Sequence, residues 1–298
     1  MLKLATYAMR GPLQAALPAT LFLLLTIFIP PVAWLSGAVI GLVFLRKGIA
    51  GGVPVFVIAA VLTSAFTFYL SGSFIAGLQL LSVFWIPVVV LALFLRETVD
   101  LARTLLLAGL LAMVVVLGMY LLMGDPAAYW EALVLEQFPV EQVSQQFAVE
   151  EEVLRSAIAQ SSHMMSGAFL TVMMLGTIIS LLIARYWQAG LYNPGGFRSE
   201  FHGLRFGALP AALAVGVSVL AILLGLPVFV NVAPIAIALF FFQGLAVFHG
   251  LVDGRKMNKG WLIGIYGLLF FLFPHTVILL GALGMADNWL NLRKLGSN

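Results

Sequence analysis

Apolar residues in this chain come in long unbroken runs, not in the alternation of a half-buried strand. The runs cover residues 12–30, 32–45, 53–70, 74–95, 104–123, 164–183, 206–230, 232–251 and 261–285. A helix needs about 20 mostly apolar residues to cross a bilayer. Most of these runs approach or reach that length, so the pattern predicts an all-α, polytopic membrane helix bundle of about nine spans, with eight to ten compatible. The breaks are chemical. Pro30-Pro31 has no N–H for a helix ladder, Ser71-Gly72-Ser73 reads as a tight turn, and Asn231 separates two runs. Residues 124–162 form the one long polar interruption, and residues 188–205 form a Gly-rich basic connection. The whole chain, 1–298, reads as a single membrane domain.

Composition narrows the class. Of the 298 residues, 62% are hydrophobic and 9% charged, and the mean hydropathy is +1.10. Soluble domains carry about 25% charged residues. This chain cannot coat a globular surface, which argues against a soluble, disordered or nucleic-acid-binding protein. With no cysteine, disulfides, thiolate metal sites and cysteine catalysis are excluded.

The few charges are sorted. Lys3 with Arg10, Arg46-Lys47, Arg96 with Arg103, Arg185 to Arg205, and Arg255 to Lys259 are basic groups between apolar runs. By the positive-inside rule they face the cytoplasm, so the N-terminus is expected to be cytoplasmic, in a bacterial inner membrane. Asp125, Glu131, Glu136, Glu141 and Glu150 to Glu152 then lie outside. The C-terminus is ambiguous. One kinked span over 261–285 leaves Arg293 and Lys294 outside, whereas a short hairpin about Pro274 returns them inside.

Four features carry candidate chemistry. The outer segment, 124–162, predicts a helix over 127–137, a break at Pro139 and an amphipathic helix over 141–160. Val143, Phe147, Leu154 and Ile158 make its apolar face, either resting on the bilayer or acting as a lid over an outward pocket. In the basic loop, the turn formers Asn193, Pro194, Gly195 and Gly196 stand beside Arg198, Glu200 and Arg205. Backbone N–H groups there could cradle a phosphate or an acidic lipid head group, or the loop could be a turn followed by a short interfacial helix. No run interior holds Asp, Glu, Lys or Arg, which counts against an ion pump or a proton-coupled antiporter. Gln79, Thr63, Thr67, Thr171, Thr177, Ser180, Gln243, His249 and His275 remain as polar groups that can bond between helices. Finally, Ala15 with Ala19, and Gly37 with Gly41, form small-xxx-small pairs that let a helix approach closely. No metal site, cofactor site or nucleophile with a base is evident, so the chain is not read as an enzyme.

The string Arg185-Tyr186-Trp187, Tyr192-Asn193-Pro194-Gly195-Gly196-Phe197-Arg198, Glu200-Phe201 and Leu204-Arg205 resembles the YybS-like family of bacterial membrane proteins of unknown function. The ending Gly284-Met285-Ala286-Asp287-Asn288-Trp289-Leu290, followed by Arg293, is similar to that family's C-terminal signature. The resemblance implies a distant similarity to the substrate-binding subunits of energy-coupling-factor transporters. There, a small-xxx-small pair on the first helix docks the coupling subunit, and Ala15 and Ala19 are the matching positions. Two functions are expected from this. One is a substrate-binding subunit of a small-molecule transporter, working with an ATPase and other membrane subunits. The other is a non-catalytic scaffold or regulator that binds a partner or acidic lipid through the basic loop. The lipid bilayer is a partner in both, and nucleic acid in neither.

Overall fold

Proline and glycine set where the helices of this chain begin and end. The computed structural model describes residues 1–293. Among the described residues all regular structure is helical, with no strand. Five helical runs are long and apolar enough to cross a membrane: Pro30–Ser71, Phe74–Thr98, Leu101–Met123, Glu151–Tyr192 and Pro227–Gly254. Three apolar helices are shorter: Pro12–Leu25, Ala208–Leu224 and Gly260–Phe271. An all-α membrane bundle is therefore what the chain forms. Where the sequence reads as a single domain, the folded chain divides into two compact units. Unit 1 is Met1–Ala108 with Met173–Arg205, and unit 2 is Gly109–Val172 with Phe206–Asn298.

Unit 1 begins with α1 (Leu2–Ala8) and α2 (Pro12–Leu25). Gly11 is extended and Pro12 opens α2, where a missing N–H costs nothing. Pro30-Pro31 starts a short 3-10 turn, Pro30–Val32, leading into α3 (Ala33–Ser71). The two predicted runs at 32–45 and 53–70 lie within α3, broken at Gly48, whose φ of 65° and ψ of −160° no helix contains. Gly72 closes α3 at φ 70°, and the Ser73 hydroxyl caps α4 (Phe74–Phe84) by accepting from the Ala76 N–H. The predicted single run 74–95 is two helices, α4 and α5 (Ile86–Thr98). Pro87 cannot donate to the carbonyl four residues back, so the ladder stops at Trp85.

The core of unit 1 is built on small residues. Ala15 and Ala19 are fully buried, and α2 packs along α3. The Ser36 hydroxyl donates to the Ala19 carbonyl at 2.6 Å and accepts from the buried Trp85 indole N–H at 2.8 Å. A Cβ on Gly37 would meet Ser180 Oγ at 2.7 Å, and one on Gly41 would meet Ala184 Cβ at 3.2 Å. Both predicted small-xxx-small faces are thus occupied within the chain.

α6 (Leu101–Met123) and α9 (Glu151–Tyr192) each contribute to both units. Between them lie α7 (Pro126–Gln137) and α8 (Val140–Phe147). Asp125 caps α7, as its side chain accepts from the Ala127 N–H at 3.0 Å. The predicted amphipathic helix over 141–160 does not form. Ala148 takes φ 53° and the Val149 N–H returns to the Ser144 carbonyl, a hydrogen-bonded helix stop. Val143 and Phe147 therefore belong to α8, while Leu154 and Ile158 lie on α9, and the four share no face.

Unit 2 continues with α11 (Ala208–Leu224), α12 (Pro227–Gly254), α13 (Gly260–Phe271) and α14 (His275–Leu290); α10 (Gly196–His202) belongs to unit 1. The break between α11 and α12 is at Gly225, φ 62°, followed by Pro227, and not at the predicted Asn231. Residues 261–285 are divided near Pro274 between α13 and α14. The α12–α14 contact is the closest in the unit. A Cβ on Gly281 would lie 2.7 Å from the Ile237 carbonyl, and a Cβ on Gly244 or Gly284 would strike the Leu280 or Phe240 carbonyl. Only glycine permits backbones this near.

Candidate functional site

In unit 1 the break inside α3 meets the ends of α5 and α9. The break at Gly48 deprives the carbonyls just before it of their ladder donors. Arg96, at the end of α5, supplies them: its Nη1 donates to Leu45 O at 3.0 Å and to Arg46 O at 2.7 Å. Gln188 on α9 donates its amide to the same Leu45 carbonyl at 3.4 Å. A Cβ on Gly48 would press on Arg96 Nε at 3.2 Å, so glycine is needed both for its φ and for this close approach. Arg185, one turn before Gln188, donates from Nη1 to Gln188 Oε1 at 2.7 Å.

Leu45, Leu95, Arg96, Glu97, Val99, Arg185 and Gln188 line a polar cavity of about 380 Å³. Two guanidinium groups share this wall with one carboxylate. Glu97 Oε1 is 3.9 Å from Arg96 Nε and its side chain is largely in solvent. Arg46 lies over the Tyr192 ring at 4.1 Å, a cation–π contact that holds a further cation nearby. The arrangement suits an anion.

The basic loop folds back onto this end. Asn193-Pro194-Gly195 reverses the chain after α9, with Gly195 at φ 89°, and leads into α10. Tyr186 packs edge-on against Phe197, which stacks on Phe201, fastening α10 to α9. Glu200 thereby reaches Arg185: Oε2 accepts from Nε at 2.8 Å, with both side chains mostly buried. Burial pushes the Glu200 carboxyl above its ordinary range. The Arg185 charge and hydrogen bond oppose that shift, and Asp100 adds to it.

The predicted backbone cradle is filled by the loop itself. The Gly196 N–H donates to the Asn193 carbonyl and the Arg198 N–H to the Gly195 carbonyl, both at 3.1 Å. The Asn193 amide lies over Gly196, where an added Cβ would meet Nδ2 at 2.5 Å. Arg198 and Arg205 are exposed. Of the loop residues singled out in the sequence, Glu200 joins the Arg185 group through its side chain. Arg96 and Gln188 carry much of the site and were legible only as a topology charge and a loop boundary. Gly48, directly after Arg46-Lys47, was the available hint that carbonyls are freed there.

In unit 2 an apolar groove of about 450 Å³ lies between α7 and α9, lined mainly by Trp130, Leu133, Phe138, Met165 and Phe169. The Trp130 indole donates to Ser166 Oγ at 2.8 Å. Its lining includes no residue of the expected lid over 141–160. A buried polar network joins Gln243, Asp287 and Asn288. Gln243 Oε1 accepts from the Phe206 N–H at 3.0 Å, and its Nε2 donates to Asp287 Oδ2 at 3.2 Å. Asp287 also takes the Arg293 guanidinium at 3.2 Å, and Asn288 accepts from the Gly207 N–H at 2.9 Å. Each of these groups is hydrogen-bonded within the chain, as structural polar groups in a membrane bundle should be. Among the described residues no cluster of His, Asp or Glu could hold a metal ion.

Comparison of the chain with protein-family models, curated proteins and solved structures finds no match in any of the three.

Proposed function

We propose that this membrane protein is a non-catalytic scaffold whose basic end in unit 1 engages acidic groups at the membrane surface. The observation that supports it is the meeting of the break in α3 with the ends of α5 and α9 on a polar cavity lined by Arg96 and Arg185, with Arg46, whose carbonyl Arg96 bonds, stacked on Tyr192. Basic pockets at helix ends are where acidic head groups are held in membrane proteins. In this reading the N-terminus is cytoplasmic in a bacterial inner membrane. The absence of cysteine makes single-cysteine labelling a clean test of that orientation. The function itself is tested by comparing the full chain in nanodiscs of zwitterionic lipid with nanodiscs carrying about a third anionic lipid. Higher thermal stability in the anionic discs, lost in high salt, is expected; equal stability in both overturns the reading.

A second reading, a small-molecule-binding subunit of a transporter, is favoured by the apolar groove under α7. Pockets of this size and lining take small apolar ligands. It predicts that an ATPase and further membrane subunits co-purify with the chain from native membranes. Repeated purification without any ATPase sinks it.

A further inference from the structure

We propose that the cavity between the break in α3 at Gly48 and the C-terminal ends of α5 and α9 is a discrete phosphate site, in which Arg96 and Arg185 together grip a phosphate monoester or diester. This deepens the surface-binding reading above and rests on it.

The geometry supports a site and not merely a charged surface. Each guanidinium is oriented by protein groups, Arg185 through two of its nitrogens and Arg96 through two carbonyls on one. Arg96 is held by the Leu45 and Arg46 carbonyls through Nη1. Arg185 is held by Gln188 through Nη1 and by Glu200 through Nε. Among the described residues, neither Nη2 has a hydrogen-bond partner. Both residues line the same cavity. Prepositioned guanidinium edges are suited to phosphate oxygens, because the side-chain entropy has been lost before the ligand arrives. A cavity of about 380 Å³ has room for a phosphate and a small polar substituent.

Position argues for the same ligand. Arg96 follows the apolar run ending at Leu95, and Arg185 follows the run ending at Ile183. Both cations therefore sit where apolar helix gives way to polar chain, the depth at which phospholipid phosphates lie. Glu97 is the one carboxylate on the wall, and its exposure lets it turn into water. Glu200 neutralises part of Arg185 through Nε and leaves Nη2 available.

The test uses the full chain in maltoside micelles, in phosphate-free buffer. Inorganic phosphate, glycerol 3-phosphate and short-chain phosphatidylglycerol are titrated separately, with binding read by calorimetry and by thermal shift. The variants are Arg96→Lys and Arg185→Lys, which keep the charge and remove the planar fork. Saturable binding of at least one phosphate compound is expected, weakened about tenfold or more by either variant, as loss of a charge-assisted hydrogen bond predicts. Preference for the short-chain lipid identifies a lipid head group as the source. Equal or better binding of glycerol 3-phosphate identifies a soluble phosphate. If anionic lipid stabilises the wild type and both variants equally, the surface reading stands and the discrete site is overturned. If no phosphate compound binds and anionic nanodiscs give no stabilisation, both fall. Should Arg96→Lys fail to fold, Arg185→Lys, which disturbs no helix-end carbonyl, decides alone.

Discussion

The side-chain amide of Asn231 is docked on the backbone of α9 at Gly167. Its Oδ1 accepts from the Gly167 N–H at 2.6 Å. Its Nδ2 lies 2.7 Å from the His163 carbonyl, the acceptor one turn back on the same helix. Tyr120 Oη and the Pro227 carbonyl are 2.9 Å from the same nitrogen. One buried amide therefore ties α6, α9 and α12 within unit 2. Gly167 is small because a Cβ there would lie 2.6 Å from Asn231 Cα.

Asn231→Leu should lower stability by about 1–2 kcal/mol, the range for interhelical bonds to a buried polar group in a membrane. Gly167→Ala should cost about 1–3 kcal/mol by forcing the helices apart. Unfolding of the purified protein in mixed micelles measures both. Wild-type stability in both variants would show that the contact contributes nothing.

Ser36 mediates between two groups that cannot reach each other. Ser36→Ala should cost about 1–3 kcal/mol, because the Trp85 indole N–H is left buried without an acceptor. Trp85→Phe in the Ser36→Ala background should then lose no hydrogen bond. A double-mutant cycle should report about 0.5–1.5 kcal/mol of coupling. Strict additivity would remove the relay.

Two glycines of similar sequence context should behave oppositely. Gly284→Ala places a Cβ against the Phe240 carbonyl and 2.7 Å from the Gly244 nitrogen. It should destabilise by about 1–3 kcal/mol or more. Gly264→Ala on α13 meets nothing within 4 Å and should be neutral or mildly stabilising, since alanine is the better helix former. Equal thermal unfolding of the two variants would refute the close α12–α14 packing.

Glu200 carries a pH dependence whose sign follows from its burial. The folded chain holds this proton more tightly than the unfolded chain does, because burial raises the folded value. Its contribution to stability is therefore fully present below the unfolded carboxylate range and falls as pH rises through the raised folded value. Glu200→Gln lacks that titration. Wild-type stability relative to Glu200→Gln should decline as pH rises above the ordinary carboxylate range. A difference that is flat with pH, or that grows in favour of the wild type, contradicts the assignment.

Much of the secondary structure was legible in the chain because its determinants are local. The apolar runs, the stops at Pro30-Pro31 and Gly72, and the turn at Asn193 to Gly195 act through backbone chemistry within a few residues. The local reading failed where two local rules competed. The apolar run 74–95 hid the effect of Pro87, and the apolar spacing of 141–160 hid the stop at Ala148.

The sequence by itself determined an all-α membrane protein, because its few charged residues cannot cover a water-facing surface, and it located the basic and acidic segments. It did not reveal that the break at Gly48 frees carbonyls for Arg96, that Glu200 pairs with Arg185, or that Asn231 lies inside a helix. The first two depend on residues 15 to 51 positions apart meeting in space. Hydropathy records how apolar a segment is and carries no record of which partner each face meets. Only the packed helices decided which polar groups were bonded to one another and which two arginines line one cavity.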